Sequence, residues 1–260
     1  MSIILKSPKE IEILREGGKR LSHVLDVVES AVRPGVTTKE LDTIAYNTVI
    51  EMGDTPAFLN YQPYGADFPY PATICLSTND QIVHGLPQEE RILVEGDIIG
   101  LDMGIIHGGL ITDSARTVGV GKVSEKAQKL MDATKKSLEI GIAAIKIGGH
   151  VGDVGYAIEK FARPLKYGIV RELGGHGVGR EVHEDPYIPN FGTKKGMGAK
   201  WKVGMVVAIE PMLNEGKRGI VLDKDGYTYR TADKTLSAHF EHTIAITKDG
   251  VEVLTKHPKT

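Results

Sequence analysis

Asp97-Ile98-Ile99-Gly100-Leu101-Asp102-Met103-Gly104-Ile105-Ile106-His107-Gly108-Gly109-Leu110-Ile111-Thr112-Asp113-Ser114 is the stretch on which the fold turns. Apolar runs on either side of a glycine-rich turn read as a β-hairpin. If His107-Gly108 is a two-residue loop, Ile106 pairs with Gly109, and Asp102 stands opposite Asp113 at ~5 Å between Cβ atoms. Alternation places Ile98, Gly100, Gly104 and Ile106 on the face of Asp102, so this acid lies among apolar neighbours with glycines leaving room beside it. Two carboxylates held there repel unless a proton or a cation sits between them. A three-residue turn instead shifts the register by one and separates the acids, leaving Asp102 as a surface residue.

Two helices precede this hairpin. Ser7-Pro8-Lys9-Glu10 and Thr37-Thr38-Lys39-Glu40 both read as capping boxes. The first opens a run with Ile11, Leu14, Leu21, Leu25 and Val28 at helical spacing, stopped by Arg33-Pro34-Gly35; the second opens one ending at Gly53. β-type runs follow at 72–76, 97–106 and 110–120. Ser124 then caps another long apolar-periodic helix, a shorter one follows Gly148-Gly149, and strand-like runs return at 205–213, 219–223 and 236–247. Two helices followed by strands, twice, predict a single domain over residues 1–260. It is built from pseudo-repeats at about 8–120 and 124–250, in an α+β architecture with helices on one face of a curved antiparallel sheet.

The second half supplies further acids. Glu210 ends the apolar run Gly204-Met205-Val206-Val207-Ala208-Ile209 and is expected to point inward, where a carboxylate demands a partner. Glu241 alternates with His239 and Thr243 on one face, with Phe240, Ile244 and Ile246 on the other. His176, in Gly174-Gly175-His176-Gly177-Val178-Gly179, reads as part of a tight loop that approaches other backbone closely. Singly, Glu210 can pair with an arginine, Glu241 can face solvent and His176 can be a satisfied loop histidine. Together, four carboxylates and a histidine make an oxygen-rich set suited to two divalent ions and unlike a cysteine-rich structural zinc site.

Composition narrows the class. With 41% hydrophobic residues, 25% charged residues and a net charge of -2, the 260-residue chain has the make-up of a globular protein, and its charge predicts no nucleic-acid partner. Cys75 is the only cysteine, which excludes an intramolecular disulfide and suits a reducing compartment. Ile3-Ile4-Leu5 is too short for the apolar region of a signal peptide, and no later run approaches the ~20 apolar residues of a membrane span. The expectation is a cytoplasmic protein without membrane contact. Lys194-Lys195, Lys200 and Lys202 read as a solvated loop rather than an RNA contact, and no phosphate cradle is found.

Five stretches, in order, resemble the type I methionine aminopeptidases. They are Asn79-Asp80-Gln81-Ile82-Val83-His84-Gly85-Leu86-Pro87, the hairpin, Gly175-His176-Gly177-Val178-Gly179-Arg180-Glu181-Val182-His183-Glu184-Asp185-Pro186, Ile209-Glu210-Pro211-Met212 and Glu241-His242-Thr243. The resemblance implies the duplicated pita-bread fold and a monomer that removes the initiator methionine from nascent polypeptides, near the ribosome. It also implies two divalent ions (cobalt, manganese, iron or zinc) on Asp102, Asp113, His176, Glu210 and Glu241. Asp113 and Glu241 bridge the ions, Asp102 holds one of them, and His176 and Glu210 hold the other. By the same resemblance Glu210 assists proton transfer from water, His183 hydrogen-bonds the substrate amide or carbonyl, and His84 serves the leaving nitrogen. Cys75, Val182 and Tyr227 would then flank the methionine side chain. Val182 and Tyr227 stand where the family commonly has Phe and Trp, and the loop 58–71 is longer than usual. The methionine pocket is therefore either enlarged or filled by Tyr61, Tyr64 or Phe68. Proline-specific peptidases, which usually carry a further large domain, and a non-catalytic binding protein of the same fold are the alternatives.

Overall fold

The structure is a computed structural model and describes residues 2–192 and 194–256. Helices α1 (Pro8–Ala31) and α2 (Thr38–Glu51) lead into β1 (Thr55–Pro56), β2 (Cys75–Thr78), β3 (Gln81–Val83), β4 (Ile98–His107) and β5 (Leu110–Gly119). Helices α3 (Glu125–Ala143) and α4 (Gly152–Ala162) precede β6 (Gly168–Ile169), β7 (Gly175–Gly177), β8 (Glu184–Ile188), β9 (Val206–Ile209) and β10 (Met212–Asn214). The remaining strands are β11 (Ile220–Leu222), β12 (Tyr229–Thr231), β13 (Ser237–His239), β14 (Glu241–Thr247) and β15 (Gly250–Val253). Both expected capping boxes close: Ser7 N donates to Glu10 Oε2 at 2.8 Å and Thr37 N to Glu40 Oε2 at 2.7 Å, while each hydroxyl accepts the returning backbone amide. Ser124 caps α3 through the Ala127 amide at 3.2 Å. Each box satisfies two amides at a helix start that would otherwise be left unpaired.

The large sheet runs β1-β4-β5-β14-β9-β7-β8, with β2 added to β4 and β15 to β14. Two three-stranded sheets, β13-β10-β6 and β11-β12-β3, flank it. Ile99, Leu101, Met103 and Ile105 of β4 pack with α1 and α2. Val207 and Ile209 of β9, with Ile244 and Ile246 of β14, share a cluster with Leu138 of α3 and Val154 and Ile158 of α4. The cross-strand registers put these positions on one face, so the helices cover that face and the alternate residues line the other. The α+β class expected from the sequence is the one observed. Among the described residues, no helix is long and apolar enough to cross a membrane.

Three expectations need correction. The hairpin pairs His107 with Leu110, Gly104 with Asp113 and Asp102 with Ala115, so the loop is Gly108-Gly109 rather than His107-Gly108. Both loop residues have positive φ, 56° and 80°, which glycine adopts without the steric cost that His107 would meet. The pairing moves by two positions, so the acids keep a common face but stand diagonally.

The runs 205–213 and 236–247 are not single strands. The first breaks at Glu210-Pro211, where the chain leaves the large sheet for the β13-β10-β6 sheet, and the second at Phe240, where it passes from that sheet into the large one. Pro211 has no amide with which to extend the β9 ladder. Its carbonyl instead accepts the Phe240 amide at 3.4 Å, so the two breaks lie side by side.

His176 lies on the short strand β7 rather than in a loop. Its flanking glycines answer to close approach: a Cβ on Gly175 would meet the Ala208 carbonyl oxygen at 2.3 Å, and one on Gly177 the Asp185 carbonyl oxygen at the same distance.

Candidate metal centre

The registers gather the acids. Asp102 of β4 is opposite Ala115 of β5, and Ala115 is opposite Glu241 of β14. The β14-β9 ladder ends with His242 opposite Ile209, so its next step brings Glu210 alongside Glu241. One row across four strands therefore reads Asp102, Ala115, Glu241, Glu210, with Asp113 one pleat further along β5. Strand β7 meets β9 through Gly177 and Val207, which adds His176 beyond Glu210. Donor atoms of Asp113, His176 and Glu241 lie within 4.8 Å of one another. Asp102 and Glu210 fall outside that tight trio but line the same cavity of about 340 Å³, and His176 Nε2 is 3.4 Å from Glu210 Oε1.

Hydrogen bonds behind the row fix it. Thr243 Oγ1 accepts the Asp113 amide at 2.9 Å and donates to the Asp113 carbonyl at 2.7 Å, joining β5 to β14 where their ladder stops. Ser114 Oγ donates to the Glu241 carbonyl at 2.9 Å, and Asn190 Nδ2 to the Glu210 carbonyl at 2.9 Å. His176 Nδ1 lies 2.9 Å from the Gly177 carbonyl. With its proton on that nitrogen, Nε2 keeps a lone pair toward Glu210, the arrangement a metal-ligating imidazole needs.

Burial and mutual repulsion dominate the electrostatics. Desolvation, then the charge of Asp113, pushes the Asp102 carboxyl well above its ordinary range. Asp113 is raised to about 7 by burial, against the Ser114 amide that lowers it. Glu210 is raised by burial and then by Asp102 and Asp113, and Glu241 by burial and then by Asp113, Glu210 and Asp102. The imidazoles bring no compensating charge, because burial drives His176 and His239 down to about 3. Among the described residues, Asp113 Oδ1, Glu241 Oε1 and His239 Nε2 are buried without a hydrogen-bond partner. His239 Nε2 comes only within 3.7 Å of Glu210 Oε2. Four crowded carboxylates with unsatisfied oxygens and neutral imidazoles have the donor chemistry of a site for divalent cations.

The other expected site residues stand around the same cavity. His84 follows β3 with φ 59° and meets Tyr229 edge-on at 6.0 Å; burial, then the neighbouring His183, lowers it to about 4. His183 lies 4.5 Å from the His176 ring, centroid to centroid, and its Nδ1 is 2.9 Å from the Tyr61 hydroxyl. Burial holds the Tyr61 proton on and the His183 pKa down, so a neutral phenol and a neutral imidazole share this bond; with Tyr61 as the donor to Nδ1, the ring proton sits on Nε2.

Cys75 sits opposite Asp102 on β2, with its thiol pushed well up by burial and by that acid. Val182 and Tyr227 are buried in the cavity wall. Loop 58–71 folds over them: the Tyr227 hydroxyl donates to the Phe68 carbonyl, and the Tyr227 ring meets Phe68 and Tyr70 edge-on at 5.2 and 5.1 Å. Tyr61 lines the cavity, whereas Tyr64 is wholly in solvent. Sequence reasoning did not single out Tyr70, which is buried and donates to the Gly85 carbonyl at 2.9 Å; a tyrosine between prolines in an aperiodic loop carries no signal of direction. It placed His239 on the face of Glu241, but nothing local linked that ring to Glu210.

This arrangement of sheet, helices and acids is that of a metallopeptidase: the chain belongs to metallopeptidase family M24, whose sequence pattern matches residues 12–248. Its fold is the family's pita-bread, a curved antiparallel sheet covered by helices. The methionine aminopeptidase of Aquifex aeolicus is 45% identical over 98% of this chain and 100% of its own length, and that of Clostridium perfringens 43% identical over 97% and 98%. The crystal structure of methionine aminopeptidase from Rickettsia prowazekii matches with a TM-score of 0.93 at 38% identity, covering 98% of this chain and 100% of that one. An Xaa-Pro dipeptidase from Bacillus anthracis shares the fold alone, with a TM-score of 0.76 at 23% identity, and extends well beyond the 63% of it that this chain covers.

Proposed function

We propose that this chain is a methionine aminopeptidase that removes the initiator methionine from nascent polypeptides, and that Asp102, Asp113, His176, Glu210 and Glu241 hold two divalent ions. The observation that carries this reading is the buried, mutually repelling carboxylate cluster on the wall of a cavity otherwise lined by Cys75, Val182, Tyr227 and neutral histidines. Full-length relatives carrying the methionine aminopeptidase name supply the substrate class. Bound divalent ions would supply Lewis acidity, easing deprotonation of the attacking water and stabilising negative charge on the scissile carbonyl. Glu210, on the cavity wall with its Oε1 3.4 Å from His176 Nε2, takes the proton from water. His183, held at Nδ1 by Tyr61, presents its Nε2 proton to the substrate carbonyl. The proton taken up by Glu210 goes on to the leaving nitrogen, with His84, neutral at physiological pH, relaying it by accepting at one ring nitrogen as it donates from the other. Cys75, Val182 and Tyr227 form the apolar wall against which the methionine side chain rests.

We place the enzyme in the cytoplasm as a monomer acting near the ribosome, with cobalt, manganese, iron or zinc as candidate metals. The deciding experiment incubates metal-reconstituted protein with Met-Ala-Ser and with Gly-Pro. Release of free methionine from the first and no cleavage of the second is the expected result; cleavage of Gly-Pro alone would overturn the reading.

A further inference from the structure

The loop between β7 and β8 presents Val182 and His183 to the cavity, and its underside is held from a distant part of the chain. The Lys6 ammonium donates to Glu184 Oε2, with both side chains almost completely buried at 1% and 2% exposure. The other oxygen of Glu184 accepts the Arg180 amide at 2.7 Å and the Glu181 amide at 3.2 Å. This one carboxylate therefore ties both ends of the turn to Lys6. The Lys6 side chain crosses Gly179 so closely that a Cβ there would meet Lys6 Cε at 2.5 Å. Lys6 is itself anchored, since its amide donates to the Gly204 carbonyl at 2.7 Å, in the segment leading into β9 and Glu210.

A buried ion pair adds little stability over an apolar pair of the same volume, because desolvation consumes most of the attraction. It does impose direction: an ammonium and two amides converging on one carboxylate fix the loop in a single geometry. We infer that Lys6 is a positioning residue, which through Glu184 sets where the 179–184 turn places Val182 and His183. The inference rests on the role proposed for His183. Among the described residues, the Lys6 side chain makes its ion pair with Glu184 and does not line the cavity, so its side chain acts on the site through the loop.

The test is a double-mutant cycle on the full-length, metal-loaded enzyme, reading kcat/KM for Met-Ala-Ser with Lys6→Met, His183→Ala and the double variant. Misplacing a substrate-contacting group by about 1 Å can cost as much as a hundredfold in rate. Lys6→Met is expected to lower kcat/KM at least tenfold while bound metal stays at the parental stoichiometry. In its background His183→Ala should cost far less than it does alone, because the imidazole is already out of place. His84→Ala, on a separate turn, should keep its full cost in both backgrounds, a contrast that general loosening of the fold would not produce. Should Lys6→Met fail to fold, Glu184→Gln keeps an oxygen for the two amides and removes the charge, and the same cycle is run on it. Losses that multiply fully with His183→Ala would overturn the role of Lys6 alone. A His183→Ala enzyme as active as the parent would overturn both that role and the assignment of His183.

Discussion

Gly104, not Asp102, faces Asp113 across the β4-β5 ladder. The offset sets Asp102 in a row with Glu241, only Ala115 between them, while Asp113 stands one pleat further along. Like charges crowded in this way cost the metal-free protein stability and favour a cation. Asp102→Asn, Asp113→Asn and Glu241→Gln should each raise the melting temperature of the metal-free protein and sharply reduce divalent-ion binding and turnover. Calorimetry with and without chelator measures both effects. A metal-free variant less stable than the parent, with metal affinity intact, would rule out the charge-cluster account.

The same cluster fixes a pH dependence. A buried carboxyl with a raised pKa holds its proton in the folded state after the unfolded chain has lost it, so stability falls as pH climbs through the folded value. For Asp113 that value is about 7, and Asp102, Glu210 and Glu241 are also raised. The buried histidines His84, His176, His239 and His242 act in the opposite sense at lower pH: their stabilising contribution is complete above ~6.5 and is lost as pH falls toward about 3 to 4. The Asp113 contribution should therefore drain away between ~4 and about 7, offset by the histidines up to ~6.5, so the melting temperature of metal-free protein is past its maximum by pH 7 and does not rise at higher pH. Saturating divalent metal should flatten that decline. Melts at stepped pH, with chelator and with manganese, decide it; a metal-free melting temperature that keeps rising above pH 7 would be incompatible.

Histidine variants separate substrate contacts from metal contacts. His84→Ala and His183→Ala should reduce turnover with metal content unchanged, whereas Glu210→Gln should reduce both. Tyr61→Phe removes only the hydroxyl that holds His183 Nδ1. A hydrogen bond of about 1 kcal/mol predicts a roughly fivefold drop in kcat/KM. Metal analysis beside steady-state kinetics is the measurement, and metal loss from His84→Ala or His183→Ala would reassign those residues.

The methionine pocket should be selective because loop 58–71 walls it. Tyr70 stands edge-on to Tyr227, the Tyr227 hydroxyl ties to the loop at Phe68, and Tyr61 lines the cavity. Wild type should prefer Met-Ala-Ser to Leu-Ala-Ser and Phe-Ala-Ser as strongly as Val182→Phe does. Tyr70→Leu should narrow that preference, within the ~1 to 3 kcal/mol an apolar pocket can contribute. If Val182→Phe alone sharpens selectivity, the loop is not the wall.

Local pattern carried a good deal of this. The capping boxes at Ser7 and Thr37, the Ser124 cap and the hairpin around Gly108 depend on residues within a few positions of one another, and all four stand in the structure. Period-two alternation put Asp102 and Asp113 on one face, and even the two-position error in register left that face unchanged, because side chains alternate every residue. Local pattern did not reveal that Pro211 and Phe240 mark the crossings between two sheets, that His176 rides on a strand against β9, or that Tyr61 reaches His183. Those facts depend on which strands lie beside each other. The buried bond from Lys6 to Glu184 joins residues 178 positions apart. Periodicity along a chain reports which way a side chain points; only the packed sheet decides what it meets there, because partner choice depends on the shape and charge of surfaces that come together after folding.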